Sequence, residues 1–586
     1  MKTLPHRLLH PANVMNNVAR HPMACRAMLA TCTALMLGAC TSTPLPPWPT
    51  TPIATAPAPR TTPPPLGTAP PVTEEVVSTT VPDATTSPVS EAPGIAESGT
   101  VSARFPEPPV RYDTPGLAPQ RRSFTTNAEL TQWLTTLAHA RRGVTNTQLL
   151  DLGTSQQGHP IQALALSQDG KGAGTQQLGT NGRPTVVLVG QQHGDEPASS
   201  EALMVIAREL AQGLLEPMLK RINVVIVARA NPDGAAAGTS ATANGTDLVH
   251  DHLLLRTPEA QALARLVRDV HPAVIIDARE YPATAPATTD ALPRSDILLL
   301  RATAANVPEF ITKAAQEWYL ASMAKTLDDA GLTHDWYYTL QAGPDGLRAA
   351  MGDAKPDSLR NVGGLRGTVS LVAASRGIGL DRLHLQRRVH SLVLALTSAL
   401  RTTVERADDL KQVRSFVARD TAAQACKGSL IVQAGATSSR REAQMIDPIT
   451  GADRAVSMMW DSTLEPRTVV DRPRPCGYWL SADATDAQTR LRLLGLQLMR
   501  VAEPGSMLAE TQRAIADGAN STVSRATLDA PEGSYYISMA QPLANVVAAA
   551  LEPGTPFDYD AAGLLPHYGA SARVMSAPSL VFDEVD

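Results

Sequence analysis

The side chains best placed for chemistry stand in a few short segments of this 586-residue chain. His193-Gly194-Asp195-Glu196 sets an imidazole and a carboxylate three residues apart, donor types that suit a divalent cation, although His-x-x-Glu alone has little specificity. Asn231-Pro232-Asp233-Gly234 and Asn244-Gly245-Thr246-Asp247-Leu248 carry side chains that bond their own backbone. They therefore read as cleft-floor structure. His250, His252 and His271 are further imidazoles close in sequence to these segments, and Glu201 and Glu280 are further carboxylates. Trp336-Tyr337-Tyr338 is the densest aromatic cluster in a chain with only 4% aromatic residues, and reads as core packing or as a stacking surface.

The elements that must position these groups follow from the apolar pattern. Thr185 to Val189 is a β-branched run, the segment holding His193 and Glu196 follows it, and Ala198 to Leu210 has helical spacing. Ile222 to Val227 reads as a second strand, entering the turn at Asn231. Pro258 to Val270 reads as a helix with proline in its first turn, and Ala273 to Ile276 as the next buried strand. Val369 to Val372 and Leu383 to Leu400 read as another strand and helix. Continuous apolar strands between amphipathic helices predict an α/β fold with a sheet covered on both faces.

Taken in order, His193-Gly-Asp-Glu196, Asn231-Pro-Asp-Gly234 and Asn244-Gly-Thr-Asp247-Leu248 resemble the zinc carboxypeptidases of the M14 family, from about residue 120 to 405. The resemblance implies a mixed eight-stranded sheet between helices, with the metal at the carboxyl ends of central strands. It implies His193 and Glu196 as two zinc ligands. Such an enzyme uses its metal to polarise the scissile carbonyl and activate water, a carboxylate to move the proton, and cations to hold the substrate carboxylate and the oxyanion.

At several functional positions the sequence departs from that family. The third ligand, a histidine in the family, falls on Arg279, which cannot ligate zinc. The pair that clasps the substrate's terminal carboxylate falls on Val249 and His250, and the oxyanion arginine on Ser240. The catalytic glutamate falls on Ala374, before Ser375-Arg376-Gly377. Loss of a general base costs about 10² to 10⁴ in rate before the missing ligand is counted. His250, His252 or His271 are candidates to replace the ligand, and Glu280 or Glu201 the base. Arg279 is expected instead to take the place of the metal charge and pair with Glu196.

Composition bounds the rest. A net charge of −5, from 51 basic and 56 acidic residues, excludes nucleic acid as a natural partner. Residues 1–39 read as a lipoprotein signal peptide, because Leu37-Gly38-Ala39-Cys40 resembles a bacterial lipobox after a short apolar run; lipidation is expected at Cys40. Residues 40–119 read as a Pro/Thr-rich disordered linker, 120–405 as the M14-like domain and 406–586 as a smaller α+β accessory domain. That last region has no repeat, no Gly-rich phosphate loop and no Ser-His-Asp order. Cys426 and Cys476 form one disulfide or remain two buried thiols.

The sequence therefore predicts a cell-envelope lipoprotein facing the periplasm, with the outer membrane favoured. Its carboxypeptidase-like domain is expected to be a catalytically impaired pseudoenzyme that binds zinc weakly or not at all. The expected ligand is a peptide or the stem peptide of peptidoglycan. The alternative is an active metallocarboxypeptidase with an altered site.

Overall fold

The computed structural model describes residues 97–139, 145–168, 172–286, 289–344, 346–514 and 521–583. The signal peptide, Cys40 and the linker up to residue 96 lie outside these described residues. In chain order the first strands are β1 (Asn146–Thr154), β2 (Pro160–Ser167), β3 (Thr185–Gly190), β4 (Asn223–Val227), β5 (Val274–Pro282), β6 (Ile297–Arg301), β7 (His334–Trp336), β8 (Thr339–Gly343), β9 (Gly346–Ala350) and β10 (Val369–Ile378). Eight of them form one mixed sheet in the order β1-β2-β4-β3-β5-β10-β6-β7. Neighbours β4, β3, β5 and β10 run parallel, while β1, β2 and β6 pair antiparallel.

The parallel centre is apolar on both faces. Every residue of β3 and β4 is buried, as β-branched runs covered from both sides require. The covering helices include α1 (Pro197–Gln212), α2 (Pro258–Val270), α3 (Leu359–Leu365) and α4 (Leu385–Glu405). The ends of α2 are written in its sequence: Thr257 caps it by accepting from the Ala260 N–H, Pro258 opens it, and His271 closes it in the left-handed region at φ 46°. The expected turn at Asn231 is instead a helix start, since its side chain accepts from the Gly234 N–H and caps Pro232–Ala237.

Residues 97–119 depart from the expected linker. They are ordered against the domain through Glu97, which is buried and ion-paired with Arg376 at 2.6 Å and with His384 at 3.1 Å. The Phe105 ring lies 4.5 Å from the Arg376 guanidinium, and Tyr112 bonds His390 at 2.7 Å. A buried charge needs a partner, so this proline-rich strap stays down although its composition matches a linker.

Beyond Arg406, helix α5 (Ala407–Ala423) leads to a long hairpin of β11 (Ser429–Ile446) and β12 (Asp453–Pro473). That hairpin joins β9 and β8 in a four-stranded sheet, and a six-stranded sheet is built from residues 477–574. One buried cluster joins the C-terminal region to the central sheet, running from Val187 and Leu263 through Leu365 to Tyr478, Ile537 and Val547, while a second, smaller cluster around Trp479, Met507, Tyr536 and Val574 lies wholly within the C-terminal region. Cys426 and Cys476 are joined as a disulfide that ties the end of α5 to the six-stranded sheet. Among the described residues no helix is long and apolar enough to cross a membrane.

Candidate functional site

The carboxyl ends of β3, β4 and β5 open on one side of the sheet, where parallel sheets place their sites. The loop after β3 carries His193 and ends at Glu196, the residue before α1. It folds tightly against the loop after β4, and a side-chain carbon on Gly194 would sit 1.9 Å from the Gly234 backbone, so only glycine permits the approach. From the end of β5, Arg279 enters the same space. Glu196 is fully buried, and its Oε1 accepts from Arg279 Nη2 at 3.0 Å. Its Oε2 accepts from the Glu280 N–H at 3.1 Å.

His193 is held on three sides. Its Nδ1 lies 3.0 Å from Glu196 Oε1 and 2.8 Å from Arg279 Nη2, and its Nε2 lies 2.8 Å from Asp247 Oδ1. Nδ1 either donates to Glu196 or accepts from Arg279; in both states its lone pair is already used. Burial opposes the His193 cation, yet the bonds to Asp247 and Glu196 outweigh it and hold the pKa up at about 9. Burial would likewise raise Glu196, but Arg279 first and His193 second bring it below the usual carboxylate range. Asp277, one residue before Ala278 on β5, is pushed up to about 6 by burial.

Whether these side chains fit zinc can be tested on the donors alone. A catalytic zinc needs three protein ligands and an open position. His193 and Glu196 supply two, and the guanidinium of Arg279 lies within 3.0 Å of a donor atom of each, in the space an ion would take. The donor set does not fit a three-ligand zinc centre here. Ala374 is paired with Arg279 across β5 and β10, so a methyl group stands on the strand beside the guanidinium.

The candidate replacement groups are held at other places in the fold. Glu280 is buried, bonded to Arg388 at 2.7 Å and to the Ala198 N–H at 2.9 Å. A side-chain carbon on Gly377 would collide with the same carboxylate, which fixes its seat. Glu201 accepts from the hydroxyls of Thr114 and Thr125 at 2.5 Å each and so anchors the strap. His252, expected as a ligand or a surface residue, is buried, donates to Gln192 Oε1 at 2.6 Å, and is driven by burial to a pKa of about 3. His271 lies before β5, at the far end of the strand from Arg279.

At the clamp positions, Val249 is buried and its N–H is taken by Asp247. Ser240 is exposed, and its backbone carbonyl accepts from Asn231. His250 bonds the buried Asp357 at 3.1 Å, and that bond holds its pKa above the ordinary range. Asp353 completes a group with His250 and Asp357 whose ligand atoms lie within 4.8 Å of one another. Neither aspartate stands in a motif, so nothing in the sequence pointed to them. Of the aromatic trio, Trp336 and Tyr338 pack inward, Tyr338 edge-on to Trp460, while Tyr337 lies close enough to feel the charge of Arg279.

Residues 130–253 match the family model for zinc carboxypeptidases, the M14 peptidases. The chain carries an M14 zinc carboxypeptidase-like domain. It is similar to Carboxypeptidase 2 of Trichophyton rubrum, 26% identical over 408 residues that span 65% of this chain and 74% of the relative. A shorter stretch of 100 residues is 36% identical to Carboxypeptidase D of Mus musculus, covering 15% of this chain and 7% of that protein. Among solved structures it is similar to a metallo-carboxypeptidase of Burkholderia cenocepacia, at 16% identity and a TM-score of 0.34 over 47% of this chain and 69% of that one. Carboxypeptidase A of Helicoverpa armigera aligns at 13% identity with a TM-score of 0.36, over 49% of this chain and 75% of that chain. Within the M14-like domain, the Arg279 guanidinium stands between His193 and Glu196.

Proposed function

We propose that the M14-like domain is a binding module that holds a peptide without cutting it. One observation carries this reading: the Arg279 guanidinium is ion-paired inside the pocket with Glu196 and lies against His193 Nδ1. A cation built into the chain leaves the attacking water without an activator, and Ala374 offers no proton acceptor. The cleft mouth keeps Asp247 and His250 partly exposed, charged groups that can bond a peptide backbone or an amino terminus. The bound chain is proposed to be a peptide or a cell-wall stem peptide, and the protein to reach it as a lipoprotein anchored through Cys40.

The second reading, an active zinc carboxypeptidase with an altered site, draws on the relatives named carboxypeptidases and on the His250, Asp353 and Asp357 group. A hydrolysis assay on peptides with free C-termini separates the two. The binding reading predicts no release of amino acids with zinc supplied; release that a chelator abolishes supports the enzyme instead.

A further inference from the structure

At the end of the sheet opposite the cleft, two adjoining cavities of about 330 and 270 Å³ open beside the starts of β3 and β5. They share His271 and Arg414 in their walls. Arg183 and Lys411 complete the first, and Arg366 the second. Among the described residues no aspartate or glutamate lines either cavity.

These cations have few partners. Arg183 donates to the carbonyls of Leu219 and Gln168, and Arg366 to that of Leu494 at 2.5 Å. Lys411 has Asp408 at 3.5 Å on its own helix. Asp269, the carboxylate that reaches His271, is already tied to Arg268 at 2.7 Å. Arg414 has no hydrogen bond or ion pair among the described residues. Burial lowers its pKa to about 10, and Arg366 falls to about 10 through burial and then through Arg414 itself. Guanidinium groups brought together without a counter-charge repel each other. An anion seated between them removes that cost, and the forked donors of arginine match phosphate oxygens.

We propose that this double cavity binds a phosphate group, carried by a soluble phosphoester or by an anionic lipid headgroup, through Arg414 and Arg366. The site stands on the opposite side of the sheet from the peptide cleft and does not depend on what that cleft does.

The test uses the full chain, titrated calorimetrically with inorganic phosphate and pyrophosphate against chloride at equal ionic strength. Vesicles of phosphatidylcholine with and without phosphatidylglycerol form a second arm. Saturable phosphate binding that weakens about tenfold or more in Arg414→Gln supports the site. So does an unliganded Arg414→Gln variant at least as heat-stable as the parent, since it loses only a repelled charge. Vesicle binding that depends on phosphatidylglycerol and on Arg414 assigns the lipid source, and phosphate binding without it assigns the soluble one. Binding no stronger than chloride, or unchanged in Arg414→Gln, overturns the proposal. Arg366 is left alone because its bond to Leu494 supports the fold.

Discussion

One side chain, Arg279, sets the local electrostatics around His193 and Glu196. In a zinc site His193 and Glu196 share a metal charge; here they share a guanidinium, and Glu196 keeps its charge in a fully buried position because Arg279 stands beside it. Asp247 then closes the cluster from the cleft side. Behind it, His252 is buried neutral and holds Gln192. Its depressed pKa gives a stability term with a definite sign: present above the ordinary value of 6.5 and lost as the pH falls toward about 3. Below pH 6.5 the parent should therefore lose about 1.4 kcal/mol per pH unit more than His252→Gln. Urea unfolding at a series of pH values measures the difference, and equal slopes contradict the burial assignment. The pairing of Arg279 with Glu196 was legible from residue types, because a cation fell on a ligand position. The partner of His250 was not, since Asp357 lies 107 residues away and belongs to no pattern.

At the scale of elements, apolar continuity carried the reading. The strands and helices around the cleft were legible because buried parallel strands and capped helices have local signatures, and Pro258–Val270 matches the expected helix at both ends. The strap was not legible. Its composition continues that of the linker before it, and the groups that hold it are distant in sequence, the partners of Glu97 lying nearly 300 residues further on. The long hairpin of β11 and β12 gives a weak apolar signal for a related cause: most of its residues are half-buried or exposed. Glu97→Gln tests the strap. Leaving Arg376 buried without its counter-charge should cost about 3 kcal/mol and open residues 97–119 to limited proteolysis. An unchanged melting curve and cleavage pattern contradict that role.

For the whole molecule, the M14-like region and the C-terminal region fold around a common core, with the disulfide from Cys426 to Cys476 as a covalent tie. Deleting one region to study the other would expose that core. The protein is best tested intact, and its two proposed sites lie at opposite ends of the same sheet, where they can be altered separately. The central claim is that the Arg279 guanidinium holds the place of the ion. Zinc titration of the intact chain, monitored by calorimetry and repeated in His193→Gln to discount the His250, Asp353 and Asp357 group, tests it most directly. The account predicts no zinc binding that depends on His193 in the parent chain, and its appearance in Arg279→His, where a second imidazole replaces the cation as third ligand. One equivalent of zinc held by the parent and lost in His193→Gln would contradict it.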